Sequence, residues 1–219
     1  MRLYDTQRSG NAWKVRLMAG LLGIPLERTT LSIDRGDLRA PAFVERHLLR
    51  QVPILELDDG RLLAESMAIL AYLADGTPYW PGDRFARAQV MTWLSFEQAQ
   101  HMRPIAQRRL HLALRRDKSP DDPDMKACRV EATEALARLD AQLGRQGPGG
   151  WVATPAHPSI ADVALYPYTR LAPLGGLDLA AFPHIEPWLA RIEALPGYQP
   201  LFPGRPGLNL STSERPETA

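Results

Sequence analysis

Six residues, Thr77-Pro78-Tyr79-Trp80-Pro81-Gly82, divide this 219-residue chain into two parts of different periodicity. Two prolines, each without an amide hydrogen, and the glycines at 76 and 82 prevent a continuous helix through the segment. Ahead of it, short apolar runs alternate with helical ones. Behind it every apolar pattern has helical spacing: Arg84 to Arg116, Asp124 to Leu143, Ser159 to Leu171 and His184 to Leu195, joined by Pro/Gly-rich loops. The length exceeds a typical domain of about 100 to 150 residues. Two domains are therefore expected, residues 1–76 and 84–203, with 77–83 as linker and a polar, Pro-rich tail at 204–219 that is expected to be mobile.

The first part resolves into elements. Arg2 to Tyr4 suits a short strand, and apolar residues from Trp13 to Leu22 recur at helical spacing until Gly23 and Pro25. Leu26 to Ile33 reads as a second strand, and a short helix is expected after Pro41. Val52 to Leu57 is an apolar strand, Asp58-Asp59-Gly60 a hairpin turn, and Arg61 to Ala64 the returning strand. Ser66 is the expected N-cap of a helix through Met67, Ile69, Leu70 and Leu73 that stops at Gly76. The order βαβαββα is that of an α/β thioredoxin-like domain, followed here by an all-α helical bundle domain.

Several functions are disfavoured by composition. The 26 basic and 25 acidic residues leave a formal charge of +1, too little for a whole-chain field that attracts nucleic acid or an anionic membrane. The single cysteine, Cys128, rules out an internal disulfide or a multi-cysteine metal site. The five histidines have no spacing that puts two ligands on one helical turn, so no metal is expected. The first residues lack a signal-peptide core and no uncharged run approaches a membrane span, which predicts a cytoplasmic protein.

Three segments carry candidate chemistry. The first helix opens with Ser9-Gly10-Asn11-Ala12-Trp13, where a thioredoxin-like domain usually carries a redox cysteine. A hydroxyl and an amide remain, at a helix N-terminus whose free N–H groups and dipole favour an anion such as a ligand's thiolate. Gln51-Val52-Pro53-Ile54 puts a proline at the start of an apolar strand, compatible with a cis peptide that turns Val52 backbone groups toward a ligand. Glu65-Ser66 offers a carboxylate for an ammonium group beside a hydroxyl and helix N-terminus for a carboxylate, a receptor for an amino-acid zwitterion.

Together, Ser9 to Arg16, Gln51-Val52-Pro53 and Glu65-Ser66-Met67-Ala68-Ile69 resemble the three glutathione-contacting motifs of the cytosolic glutathione transferases, of the bacterial, serine-type kind. Pro158-Ser159-Ile160-Ala161-Asp162-Val163 is similar to that family's helix-capping element, with Ser159 and Asp162 as an N-cap box. The resemblance implies glutathione as co-substrate, with Glu65 and Ser66 on its γ-glutamyl end and Val52, beside cis Pro53, on its cysteinyl backbone. Ser9 would face the sulfur as the catalytic group, with Asn11 its rival, and Arg50 and Gln51 fall where polar contacts to the glycyl carboxylate are made. The family pattern of an Asn-Pro pair is replaced here by His47-Leu48-Leu49-Arg50.

A pocket for a small, apolar electrophile is expected on the long helix, from Gln98, Met102 and Ile105 with Arg109 at helical spacing, or else under Tyr166 or the segment near Phe202. The implied reaction is thioether formation by a homodimer. Glutathione-dependent reduction, dehalogenation or isomerisation, and a non-catalytic interaction module, are the alternatives.

Overall fold

The computed structural model describes residues 1–32, 35–41, 44 and 49–202. The helix expected after Pro41, the end of the second strand at Ile33 and the tail at 204–219 fall mainly or wholly outside the described residues.

Four strands form one sheet in the order β2-β1-β3-β4. Strand β1 (Arg2–Asp5) pairs parallel with β2 (Glu27–Thr30) and antiparallel with β3 (Ile54–Glu56), which pairs antiparallel with β4 (Leu62–Ala64). Leu3 sits opposite both Arg28 and Leu55, and Leu55 opposite Leu63, so the period-2 pattern puts a leucine stripe into the core. Helix α1 (Gly10–Leu21) crosses between the parallel strands, and α2 (Ser66–Ala74) follows the hairpin; α1 packs against α2.

Strand β1 ends on the buried Asp5. Its carboxylate accepts from Arg28 at 2.8 Å and lies 3.6 Å from the buried Arg16, whose guanidinium burial pushes down to about 10. Paired charge is what makes a buried carboxylate tolerable.

The helical part is built round α6 (Ile160–Leu171), in which every residue except Arg170 is buried. Its start is the N-cap box expected from sequence: Ser159 Oγ accepts from Ala161 N at 3.2 Å while Asp162 accepts from Ser159 N at 2.9 Å. The other Asp162 oxygen accepts from Val152 N and Trp188 Nε1, tying the loop before α6 and helix α7 (Ile185–Glu193) to one carboxylate. Helix α5 (Pro123–Gln146) runs alongside with Leu136, Leu139 and Leu143 turned inward.

The two parts share one core. α1 packs on α6, Trp13 meets Tyr166 edge to face at 5.3 Å, and Trp13 Nε1 donates to Gln199 O at 2.6 Å. The turn carrying Gln199 passes so close to α1 that a Cβ on Gly197, at φ 82°, would stand 2.1 Å from Gly20 O. Glycine is required there both by conformation and by contact.

The structure corrects the expected long helix. The stretch from Arg84 runs as α3 (Arg84–Phe96), a π-helical turn (Glu97–His101), α4 (Met102–Arg108) and a second π-helical turn (Arg109–Arg115). Pro104 supplies a reason for the first widening: it has no N–H for the Gln100 carbonyl and its ring crowds that carbonyl.

Candidate active site

At the start of α1, Ser9 is extended (φ −73°, ψ 119°) and its Oγ accepts from Ala12 N at 3.1 Å, an ordinary N-cap. The hydroxyl keeps its own hydrogen to donate. Asn11, two residues on, lines the cleft, and its Oδ1 is buried with no partner among the described residues. The Tyr168 ring of α6 lies against this turn, so close that a Cβ on Gly10 would stand 2.8 Å from it. Burial, with the Glu97 carboxylate second, pushes that phenol up to about 12.

The cleft is lined by Asn11, Leu49, Gln51, Val52, Pro53, Ala64, Glu65 and Ser66. Three segments far apart in sequence thus meet: the first turn of α1, the strand entry at Val52–Pro53, and the start of α2. The Val52–Pro53 peptide is cis, a geometry with which the proline at the strand entry is compatible.

The start of α2 departs from expectation. Glu65, not Ser66, occupies the N-cap position, at φ 68° and ψ 121°, without a side-chain cap. Ser66 is the first helical residue and is buried. Its hydroxyl makes no hydrogen bond among the described residues, and the N-terminal amides of α2 are not capped by a side chain. A non-glycine residue held in a sparsely populated region, beside an unspent hydroxyl and helix terminus, is the kind of strain found at ligand sites.

Of the residues expected to bind a ligand, Asn11, Gln51, Val52, Pro53, Glu65 and Ser66 come together in this cleft, whereas Ser9 and Arg50 do not line it. Arg50 is exposed, at φ 50°. His47 and Leu48 of the preceding loop lie outside the described residues.

The residues expected to line an electrophile pocket differ in exposure. Ile105 is fully buried in the core and has no surface to give a ligand. Gln98 is half-buried and donates to Glu97 Oε2 at 2.8 Å; Met102 is half-buried against the core. Arg109 is buried and donates to Arg8 O at 2.9 Å. Tyr166 is fully buried, held by Glu193 at 2.9 Å and Tyr198 at 2.7 Å, and Phe202 is buried too, so neither offers an open wall.

Sequence reading missed a buried ion pair behind the cleft: Lys14 Nζ of α1 donates to Glu97 Oε1 at 2.6 Å, with both side chains fully buried. Burial pushes the Lys14 ammonium down and the Glu97 carboxyl up, and their contact opposes both shifts. The one signal was Lys14 itself, an ionisable residue flanked by Trp13 and Val15 in an apolar helix. Next to it, His101 donates or accepts at Thr169 Oγ1, 2.9 Å away; burial, assisted by the Lys14 charge, lowers it to about 3 and keeps it neutral. No group of three or more His, Cys, Asp or Glu that would hold a metal occurs among the described residues, and none of their helices is long and apolar enough to cross a membrane.

The family profile described as "Glutathione S-transferase, N-terminal domain" matches residues 8–75, and that described as "Glutathione S-transferase, C-terminal domain" matches residues 102–196. The crystal structure of a glutathione S-transferase from Pseudomonas fluorescens Pf-5 is 36% identical with a TM-score of 0.87, covering 92% of this chain and 98% of that one. Glutathione S-transferase D7 of Anopheles gambiae is 30% identical over 202 residues, 87% of this chain and 85% of its own. A maleylacetoacetate isomerase of Rhizobium meliloti is 28% identical over 211 residues, 93% of this chain and 96% of its own. With a thioredoxin-like sheet, a helical second part and both profiles in order along its length, this chain belongs to the glutathione S-transferase family.

Proposed function

We propose that the cleft binds glutathione and that the chain delivers its thiolate to a small, apolar electrophile. One observation carries this reading: Glu65 is held at φ 68° beside the uncapped N-terminus of α2 and the free Ser66 hydroxyl, opposite the first turn of α1. The γ-glutamyl group is a zwitterion of matching polarity. Its ammonium pairs with the Glu65 carboxylate; its carboxylate takes the Ser66 hydroxyl and the N-terminal amides of α2, whose dipole favours negative charge. Val52 then pairs with the cysteinyl backbone, and Gln51 faces the glycyl end.

The sulfur comes to the start of α1. There Ala12 N–H is taken by Ser9 Oγ, and Gly10 N–H, the Ser9 O–H and the Asn11 amide stand nearest a ligand. The side chains therefore carry most of the hydrogen bonding to sulfur, while the helix dipole favours its charge. A free thiol titrates near 8.5. One hydroxyl or amide donor plus the helix terminus amounts to about 1.5 to 3 kcal/mol, or roughly one to two pKa units toward thiolate.

In conjugation the thiolate attacks an electrophilic carbon, the C–S bond forms, and the leaving group departs with its electron pair. Isomerisation is the second reading, favoured by relatives named maleylacetoacetate isomerase in Rhizobium meliloti, Pseudomonas aeruginosa and rat. In that case sulfur adds to a conjugated double bond, the resulting single bond rotates, and expulsion of the thiolate restores the double bond. A homodimer belongs to the same proposal and is supported by exposed apolar side chains on α2 and α3: Tyr72, Phe85 and Met91.

Calorimetric titration of glutathione into the wild type and Ser66→Ala tests the binding mode. Loss of a hydroxyl bond to a carboxylate costs about 1.5 to 3 kcal/mol, so Ser66→Ala should bind roughly 10- to 100-fold more weakly. Equal affinities would refute the placement of the γ-glutamyl group.

A further inference from the structure

The Lys14–Glu97 pair lies one turn behind the residues that line the cleft. Lys14 belongs to α1, whose first turn carries Asn11, and Glu97 opens the π-helical turn on the far side of the domain joint. Gln98 Nε2 holds the second Glu97 oxygen at 2.8 Å, and Lys14 Nζ stands 5.3 Å over the ring of Tyr168. Tyr168 in turn fills the space a Cβ on Gly10 would need. Beyond Glu97, the carboxylate whose charge reaches Lys14 is Glu65, on the opposite wall of the cleft.

Stability is a weak reason to keep such a pair. Both ions lose their water on burial, and an apolar pair of similar volume is often as stable or more so. What a short, fully buried ion pair enforces is geometry, because one separation and one register satisfy it. Here it locks α1 to a π-helical turn, an irregularity that occurs frequently at functional sites. The locked end of α1 presents Asn11 to the cleft with its Oδ1 buried and unpartnered.

We infer that Lys14, Glu97 and Tyr168 are positioning residues: together they clamp the first turn of α1 to the helical domain and hold Ser9 and Asn11 at the distance the ligand sulfur requires. This rests on the glutathione reading above. The clamp acts from outside the cleft and touches no ligand atom.

The test replaces the pair whole, Lys14→Met with Glu97→Leu, which keeps volume and leaves the site's net charge unchanged. Thiolate absorbance of bound glutathione is then titrated with pH, beside thermal unfolding. A structural role alone leaves the bound-thiol pKa where it was. The clamp predicts a folded protein whose bound-thiol pKa rises by about one unit, a tenfold loss of thiolate at fixed pH below it. Tyr168→Leu, which withdraws the ring from Gly10, should move it in the same direction and decides alone if the double variant does not fold. Wild-type titrations in these variants overturn the inference. Absence of glutathione binding by the wild type would instead overturn the reading on which it rests.

Discussion

Glu65→Gly should stabilise the protein and disable it at once. At φ 68° and ψ 121° the Glu65 backbone lies in a region that side chains rarely adopt, at a cost of about 1 to 3 kcal/mol. Glycine removes that strain but adds about 0.5 to 1 kcal/mol of unfolded-state entropy. The balance is a gain of about 1 kcal/mol, or roughly 2 to 4 °C in melting temperature for a chain of this size. The carboxylate is lost in the same step. A charge-assisted hydrogen bond to an ammonium is worth about 1.5 to 3 kcal/mol, so glutathione affinity should fall roughly 10- to 100-fold. Glu65→Gln separates the two effects: the strain stays, so stability stays near wild type, while affinity falls. Scanning calorimetry and calorimetric titration on the three proteins read both quantities. A glycine variant less stable than wild type, or one that binds glutathione with wild-type affinity, would refute the link between strain and site.

Ser9→Ala removes the α1 N-cap and should cost about 1 kcal/mol of stability. If Ser9 is the sulfur donor it also raises the bound-thiol pKa, whereas Asn11→Ala with an unperturbed Ser9 variant transfers that role to the amide that lines the cleft; the two thiolate titrations decide. His101 predicts an acid sensitivity. Its pKa is lowered from 6.5 to about 3, so the unfolded chain takes the proton first: stability is fully present above pH 6.5 and is lost as pH falls toward 3. At pH 5 the loss is about 2 kcal/mol. His101→Asn should flatten the dependence of urea unfolding between pH 7.5 and 5 by that amount, against the fixed surroundings of Thr169, Lys14 and Phe96; an unchanged slope would refute it.

Local chemistry made much of this molecule legible in its sequence. The Asp58-Asp59-Gly60 turn and the Ser159/Asp162 cap declare themselves because each is a short-range device whose residue types have few other uses. The cleft was legible as three segments, and the fold brings residues of all three together. What failed were inferences that needed phase or backbone geometry. Ser66 looked like an N-cap by residue type, but the strained Glu65 backbone takes that position, and positive φ at a glutamate leaves no mark in the sequence. The stretch from Arg84 to Arg116 looked like one helix by apolar spacing, and its two π turns leave no mark in that spacing. The Lys14–Glu97 pair spans 83 residues, a separation at which single-chain patterns carry no pairing information.

On the proposed reading this protein holds glutathione as a thiolate. Ultraviolet thiolate absorbance of glutathione, titrated with pH in the presence of saturating protein, measures that directly. A thiolate held there should show a bound-thiol pKa roughly one to two units below the free value of about 8.5. Saturable binding with an unshifted thiol would contradict activation, and no binding would contradict the site itself.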